Sequence, residues 1–180
     1  MGITGVGGSG PDSNVGVRVE NGATIETTDG LLSITGQATA ATTGSGNSGI
    51  TNAGTISATG GGSIELQGFS YSAGDYFNVG VLNGSTGTIE TQNGNITIVG
   101  YGGINAFSNR NRGVSAGGSI ESQGSGSISI TGTAGGGYAQ NDGVLAYGTV
   151  QTTSGDITIE GTGSLSTGSN NDGVEVVGGR

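Results

Sequence analysis

Cysteine, histidine, lysine and tryptophan are all absent from this chain of 180 residues, and proline occurs once. Without cysteine there is no disulfide framework, no thiolate nucleophile and no thiolate metal site. Without lysine no GxxxxGK[ST] phosphate loop can be written, and no GxGxxG here opens a helix. The basic residues are four arginines, Arg18, Arg110, Arg112 and Arg180, against 13 acidic residues, a formal net charge of −9. No basic patch can form from that inventory, so a nucleic-acid partner is not expected. The longest apolar runs are a few residues, where a membrane-spanning helix needs roughly 20, so membrane insertion is not expected either. Met1 is followed by GITGVGGSG, with no basic n-region and no apolar h-region. That absence of a signal predicts an intracellular protein or an internal piece of a longer one.

What the chain has instead is glycine, 43 residues of it. Composition of this kind reads as low-complexity disorder unless a period organises it, and here one does. Asn-x-Gly followed by Val or Ile occurs six times, placing an apolar residue at Val17, Ile50, Val81, Val114, Val144 and Val174, with steps of 33, 31, 33, 30 and 30. A second series, in ATIETTDG, GTISATGG, GTIETQNG, GSIESQGS and GTVQTTSG, runs Ile25, Ile56, Ile89, Ile120, Val150 with steps of 31, 33, 31 and 30. A third, in LLSITG, SIELQG, NITIVG, SISITG and DITIEG, runs Ile34, Leu66, Ile98, Ile130, Ile159 with steps of 32, 32, 32 and 29, and Ile3 begins it one period earlier.

Three markers that share one period and keep their order are the signature of a repeat architecture. Each lies in a short alternating stretch of β-branched residues bounded by glycine, which reads as strand and turn. No window carries helical apolar spacing. The expectation is an all-β protein, a right-handed parallel β-helix with about 31 residues and three short strands per coil. About five and a half coils at a spacing of roughly 4.8 Å give a rod of about 25–30 Å. One domain spans 1–180, with coils at roughly 3–33, 34–65, 66–97, 98–129, 130–158 and a partial 159–180.

Three inward rows follow from the markers: Ile25, Ile56, Ile89, Ile120 and Val150; Leu32, Ile64, Ile96, Ile128 and Ile157; Ile34, Leu66, Ile98, Ile130 and Ile159. Burying each such side chain contributes roughly 1.5–3 kcal/mol, and no coil buries its row alone. The asparagines three before each anchor, Asn14, Asn47, Asn78, Asn111, Asn141 and Asn171, form a candidate structural ladder. Two physical reasons fit them: a left-handed backbone at a tight bend, or amides hydrogen-bonded from coil to coil. The glycines between, Gly16, Gly49, Gly80, Gly113, Gly143 and Gly173, fit either backbone crowding or a positive φ.

Polar residues offer few chemical constellations. Glu90 and Glu121 fall at the same outward position of adjacent coils, about one coil spacing apart, within a row that also holds Glu26, Ser57 and Gln151. A carboxylate acid–base pair is thereby conceivable, but there is no histidine and no basic residue nearby, and the expectation is that the chain is not an enzyme. Asp142 and Asp172 also stack in adjacent coils. Glu90, Glu121, Asp142 and Asp172 are the candidate calcium ligands, since calcium prefers clustered oxygens; no other cofactor is expected. Thr24, Thr55, Thr88, Ser119 and Thr149 form a hydroxyl row whose neighbouring glutamates spoil it as a flat ice-like array. The span between the third strand and the asparagine varies most, as in TGQATAATTGSGN and VGYGGINAFSNRN, and reads as a surface excursion. Phe69, Tyr71, Tyr76, Phe77, Tyr101, Phe107 and Tyr138 fall in or near these excursions, to pack over the core or to touch a carbohydrate or partner.

The repeats GTIETQNGNITIVG, GSISITGTAGGG and GTVQTTSGDITIEGTGS, together with NNDGVEV, resemble the β-strand repeats of filamentous-haemagglutinin-like proteins and giant bacterial adhesins. The resemblance covers the whole chain. It implies a bacterial cell-surface or extracellular setting, a right-handed β-helix, and a structural or adhesive role in a filament or biofilm matrix, as a rigid rod or spacer. The second class to weigh is a glycan-binding or polysaccharide-degrading β-helix. The chain starts and stops inside coils without a visible polar cap, so a fragment of a longer array or a self-stacking subunit is expected. Its partners would be copies of itself or flanking coils, and glycans or host surfaces.

Overall fold

The computed structural model describes residues 1–39, 44–105 and 107–178; Arg180, one of the four arginines, lies outside them. Every regular element among the described residues is a β-strand. The first coil comprises β1 (Gly2–Val6), β2 (Val17–Val19) and β3 (Thr24–Thr27), and the second β4 (Leu32–Ala38), β5 (Ile50–Asn52) and β6 (Thr55–Ala58). There follow β7 (Ile64–Ser70), β8 (Val81–Asn83) and β9 (Thr88–Thr91), then β10 (Ile96–Tyr101), β11 (Val114–Ala116) and β12 (Ser119–Ser122). The last are β13 (Ile128–Thr133), β14 (Val144–Ala146) and β15 (Thr149–Thr152), then β16 (Ile157–Thr162) and β17 (Val174–Val176).

Strands three apart in the chain pair in parallel and build three sheets: β1-β4-β7-β10-β13-β16, β2-β5-β8-β11-β14-β17 and β3-β6-β9-β12-β15. This is a β-solenoid of about five turns. The register realises the sequence period directly. Ile25, Ile56, Ile89, Ile120 and Val150 are successive partners in the third sheet. Ile3, Ile34, Leu66, Ile98, Ile130 and Ile159 are successive partners in the first. Along β4 and β7 burial alternates strictly, because consecutive side chains of a strand point to opposite faces. The core is the set of inward Ile, Leu and Val rows, fully buried through the middle coils. The rows open at the ends, where a residue has a coil on one side only: Ile3, Ile25, Val150 and Ile159 are half-buried, and Ile157 and Val174 are exposed.

The corner between the first and second sheets explains the glycine in every Asn-x-Gly. A Cβ on Gly49 would lie 2.3 Å from the Phe69 backbone nitrogen, and one on Gly113 would lie 2.3 Å from that of Thr133; facing them, a Cβ on Gly36 would lie 2.1 Å from the Gly49 carbonyl oxygen, and one on Gly100 would lie 2.1 Å from that of Gly113. The same collision recurs at Gly5, Gly68, Gly132 and Gly161 against Gly16, Gly80, Gly143 and Gly173. None of these twelve glycines has a positive φ. Of the two reasons for the glycine, backbone crowding is the operative one, and it demands a second glycine row on the opposing strand.

Positive φ does occur in every coil, one residue before each ladder asparagine: Ser13, Gly46, Phe77, Arg110, Gln140 and Asn170, with φ between 56° and 71°. The asparagines themselves are not left-handed. A non-glycine residue held there costs about 1–2 kcal/mol, so this bend is imposed by its surroundings rather than chosen by local preference.

A glycine series tests this division of labour by chemical denaturation. Gly100→Ala forces two backbones apart and is expected to lower stability by about 3 kcal/mol or more. Gly46→Ala has room, its nearest atom being 3.6 Å away, and should lose only about 1 kcal/mol through its left-handed φ. Gly61→Ala, with only Asp29 Oδ1 at 3.8 Å, should stay within about 1 kcal/mol of the parent.

Candidate functional site

The asparagine ladder is continuous. The Asn14 backbone N–H donates to Asn47 Oδ1 at 2.9 Å, Asn47 to Asn78 at 3.0 Å, Asn78 to Asn111 at 3.3 Å, Asn111 to Asn141 at 2.9 Å and Asn141 to Asn171 at 3.0 Å. Coil-to-coil bonding is therefore the reason for the asparagine, and every bond runs in one direction. The Nδ2 groups close the excursions. Asn14 donates to Gly10 O at 2.6 Å, Asn47 to Gly44 O at 3.1 Å and Asn171 to Gly168 O at 3.2 Å. Asn78 Nδ2 is buried without a partner among the described residues.

Sequence reasoning missed a second, shorter ladder inside the core. Asn52 and Asn83 are register partners, both buried, and Asn52 Nδ2 donates to Asn83 Oδ1 at 2.9 Å. Asn83 Nδ2 passes on to Gly87 O and Ser119 O. The signal was present as an asparagine two after the anchors Ile50 and Val81.

It missed an ion pair as well. Arg112 and Asp142 each follow a ladder asparagine, one coil apart, and meet with Nε to Oδ2 at 2.8 Å, both nearly removed from solvent. Opposite charges in one slot one period apart would have revealed it. Asp142 Oδ1 also accepts the Asp172 backbone N–H at 3.2 Å.

The four candidate calcium ligands separate into two places. Asp142 and Asp172 join Glu175, their carboxylate oxygens within 4.8 Å of one another. Calcium takes six to eight oxygens, and here three carboxylates gather of which the buried one is already engaged by a guanidinium. Glu90 and Glu121 are direct register partners on the outer face of the third sheet. Glu90 Oε2 accepts from Gln123 Nε2 at 3.4 Å, and Glu121 Oε1 accepts from Ser119 Oγ. They border shallow clefts of about 250 and 220 Å³ lined otherwise by Ser, Thr, Gln and Ala. The row reads Glu26, Ser57, Glu90, Glu121, Gln151, a polar stripe that makes no ion pair among the described residues.

Five of the aromatics form two groups, Phe69, Tyr71 and Tyr101 in one and Tyr76 and Phe77 in the other. Phe69 and Tyr101 are register partners whose rings stack at 5.2 Å and 4°, and Tyr71 stacks on Phe69 at 5.8 Å. With Ile104, Gly102 and Thr133–Gly135 they line an apolar cleft of about 300 Å³. The second group sits on the left-handed column: Arg110 lies over the Tyr76 ring at 5.3 Å, donates from Nη1 to the Tyr76 hydroxyl, and donates from Nε to Gln140 Oε1 at 2.8 Å. Phe107 stands almost wholly in solvent.

Removing one member of a buried ion pair strands the other charge. Arg112→Ala is expected to cost about 3–5 kcal/mol, and Arg112→Ala combined with Asp142→Ala distinctly less than the sum of the single losses, measured as urea midpoints in a double-mutant cycle. No family of known proteins, no curated protein and no solved structure matches the chain.

Proposed function

We propose that the chain is a rigid spacer, a structural and adhesive repeat segment of a bacterial cell-surface or extracellular filament protein. The observation that carries this reading is the unbroken register of three parallel sheets. Each coil repeats the same inward rows, corner glycines and ladder asparagine, so length grows by repetition without altering the cross-section. A solenoid whose coils bond only to their neighbours resists extension along its axis and transmits geometry over distance. The acidic, lysine-free surface supports solubility and disfavours non-specific adhesion to nucleic acid. The excursions then carry whatever is specific, since they tolerate change that the corners do not.

A second reading, glycan binding, is favoured by one feature. The Phe69–Tyr71–Tyr101 stack borders an apolar cleft that no charged side chain lines, a setting suited to the C–H face of a neutral sugar ring.

Single-molecule stretching tests the spacer. The expected record is stepwise release of about 100–110 Å per coil, the extended length of about 31 residues; smooth extension at low force would reject it. Glycan-array binding that falls about tenfold in Tyr101→Ala, a loss of about 1.4 kcal/mol consistent with one aromatic contact, would favour the second reading. Release of new chain ends from a polysaccharide would move it to an enzyme.

A further inference from the structure

The outward row at the end of the first sheet runs Val6, Gln37, Phe69, Tyr101, Thr133, Thr162 in register. Phe69 and Tyr101 carry rings, stacked at 5.2 Å and 4°. The next member, Thr133, carries none, and the apolar cleft of about 300 Å³ is lined by both Tyr101 and Thr133. We propose that this cleft is a slot for one pyranose ring of a neutral glycan, which takes the place in the ring stack that Thr133 leaves open. The inference rests on the glycan-binding reading and names the ring's seat, the charge of its ligand and the residue that keeps the seat open.

The slot lies inside the stack of coils. Its residues belong to β7, β10 and β13 and to the turns that follow them, and this group has a paired strand on each side, β4 against β7 and β16 against β13. It is also particular to one place, because the order ring, ring, threonine occurs once in the row.

Polar groups around the slot select its occupant. A stacked pair of rings favours a partner with an apolar face. The Tyr71 and Tyr101 hydroxyls make no hydrogen bond among the described residues, and the Ala134 and Gly135 carbonyls accept none. An aromatic side chain of a peptide would fill the slot and leave those four groups to water. A pyranose has a C–H face for the ring and hydroxyls at its rim for the phenols and carbonyls. Charge narrows the choice again. No charged side chain lines the cleft, and a chain with 13 acidic residues against four arginines repels a uronate or a sulfated sugar. A volume of about 300 Å³ is at the lower end of small-ligand sites, so one ring is held closely and the rest of the glycan passes outside.

Thr133 is then the residue that decides whether the slot exists. A ring at that position would follow Phe69 and Tyr101 at the coil spacing of about 4.8 Å and put the protein's own side chain where the sugar sits. Filling the slot adds contacts to the stack rather than removing them, so loss of binding is separated from loss of fold.

Calorimetric titration of the whole chain with cellotetraose and chitotetraose tests this, with tetragalacturonate as the acidic probe and N-acetyltyrosine amide as the aromatic one. The expected result is saturable binding of at least one neutral oligosaccharide and tighter binding of it than of either other probe. Thr133→Phe should weaken that binding at least tenfold with thermal unfolding unchanged or raised, and Thr133→Ser should retain it. If Thr133→Phe lowers the unfolding temperature, the smaller Thr133→Leu decides by the same criterion. Tetragalacturonate or the tyrosine amide as the tightest ligand, or no binding of either neutral oligosaccharide, would overturn the inference. Neutral-glycan binding that survives in the folded slot-filled variant would sink the slot and leave the glycan reading standing, whereas a blank glycan array would remove that reading too. Neither result touches the spacer, whose test is mechanical.

Discussion

Each coil of this protein turns on a contact that only glycine permits. Where the first sheet hands over to the second, the backbone of one strand presses its Cα hydrogens against the carbonyl of the next, and any side chain there would sit about 2 Å from an oxygen. That approach fixes how tightly the coil closes, and hence how close the inward rows of the sheets lie. Rows of isoleucine, leucine and valine fill the resulting interior without aromatic help. Dispersion and hydrophobic burial fall off steeply with any gap, so the core depends on the corner more than the corner on the core. The cost is entropic: a chain this rich in glycine loses much freedom on folding, and it does so repeatedly.

Six left-handed residues beside six asparagines make the second half of the same argument. Phenylalanine, arginine and glutamine are poor occupants of positive φ, yet they hold it here. What holds them is the ladder, in which a backbone N–H and an Oδ1 meet across every coil boundary. An unmet buried amide costs about 1–3 kcal/mol, comparable to the backbone strain it opposes. The strain is therefore stable only in a stack. A single coil would have the penalty without the bond, which is why such a fold is cooperative along its axis. Because the ladder dictates backbone and not side chain at the left-handed position, that position is free to vary, and the chain uses it to mount Arg110 on Tyr76.

The architecture was legible because inward residues, glycines and asparagines repeat with a period that exceeds local noise. Ile25, Ile56, Ile89 and Ile120 could be set in file by counting. Other features were not legible, for particular reasons. The left-handed φ at Phe77 and Arg110 has no compositional trace, since neither residue advertises it. The corner glycines of the first sheet, such as Gly36 and Gly100, were visible as the last letter of SITG and TIVG, but a glycine after a strand ordinarily signals a turn. The Arg112–Asp142 pair was hidden because the two residues share a slot but not a type, and a search for repeats looks for likeness. Glu90 facing Glu121 was read correctly, whereas the third member of the Asp142–Asp172 group, Glu175, stands three residues after Asp172 in NNDGVEV and was hidden because no other coil has an acid in its slot.

The same logic limits where specificity can reside. A residue on an inward row, at a corner or on the ladder is answerable to neighbours above and below, so change there must propagate or be repaired. Outward positions and excursions answer to solvent alone. The chain spends its scarce aromatics and Arg110 in that permissive region, and stacks Phe69 on Tyr101 where the coil spacing of about 4.8 Å already matches the spacing of offset rings. Parallel coils thus give any recurrent surface residue a ready-made neighbour of its own kind. An apolar or aromatic residue gains a partner by repetition, while a charged one gains a rival, as at Asp142 and Asp172. The axis then has a sense, because the ladder donates one way. One continuous surface runs along the side of the stack, and only that side is free to differ from coil to coil.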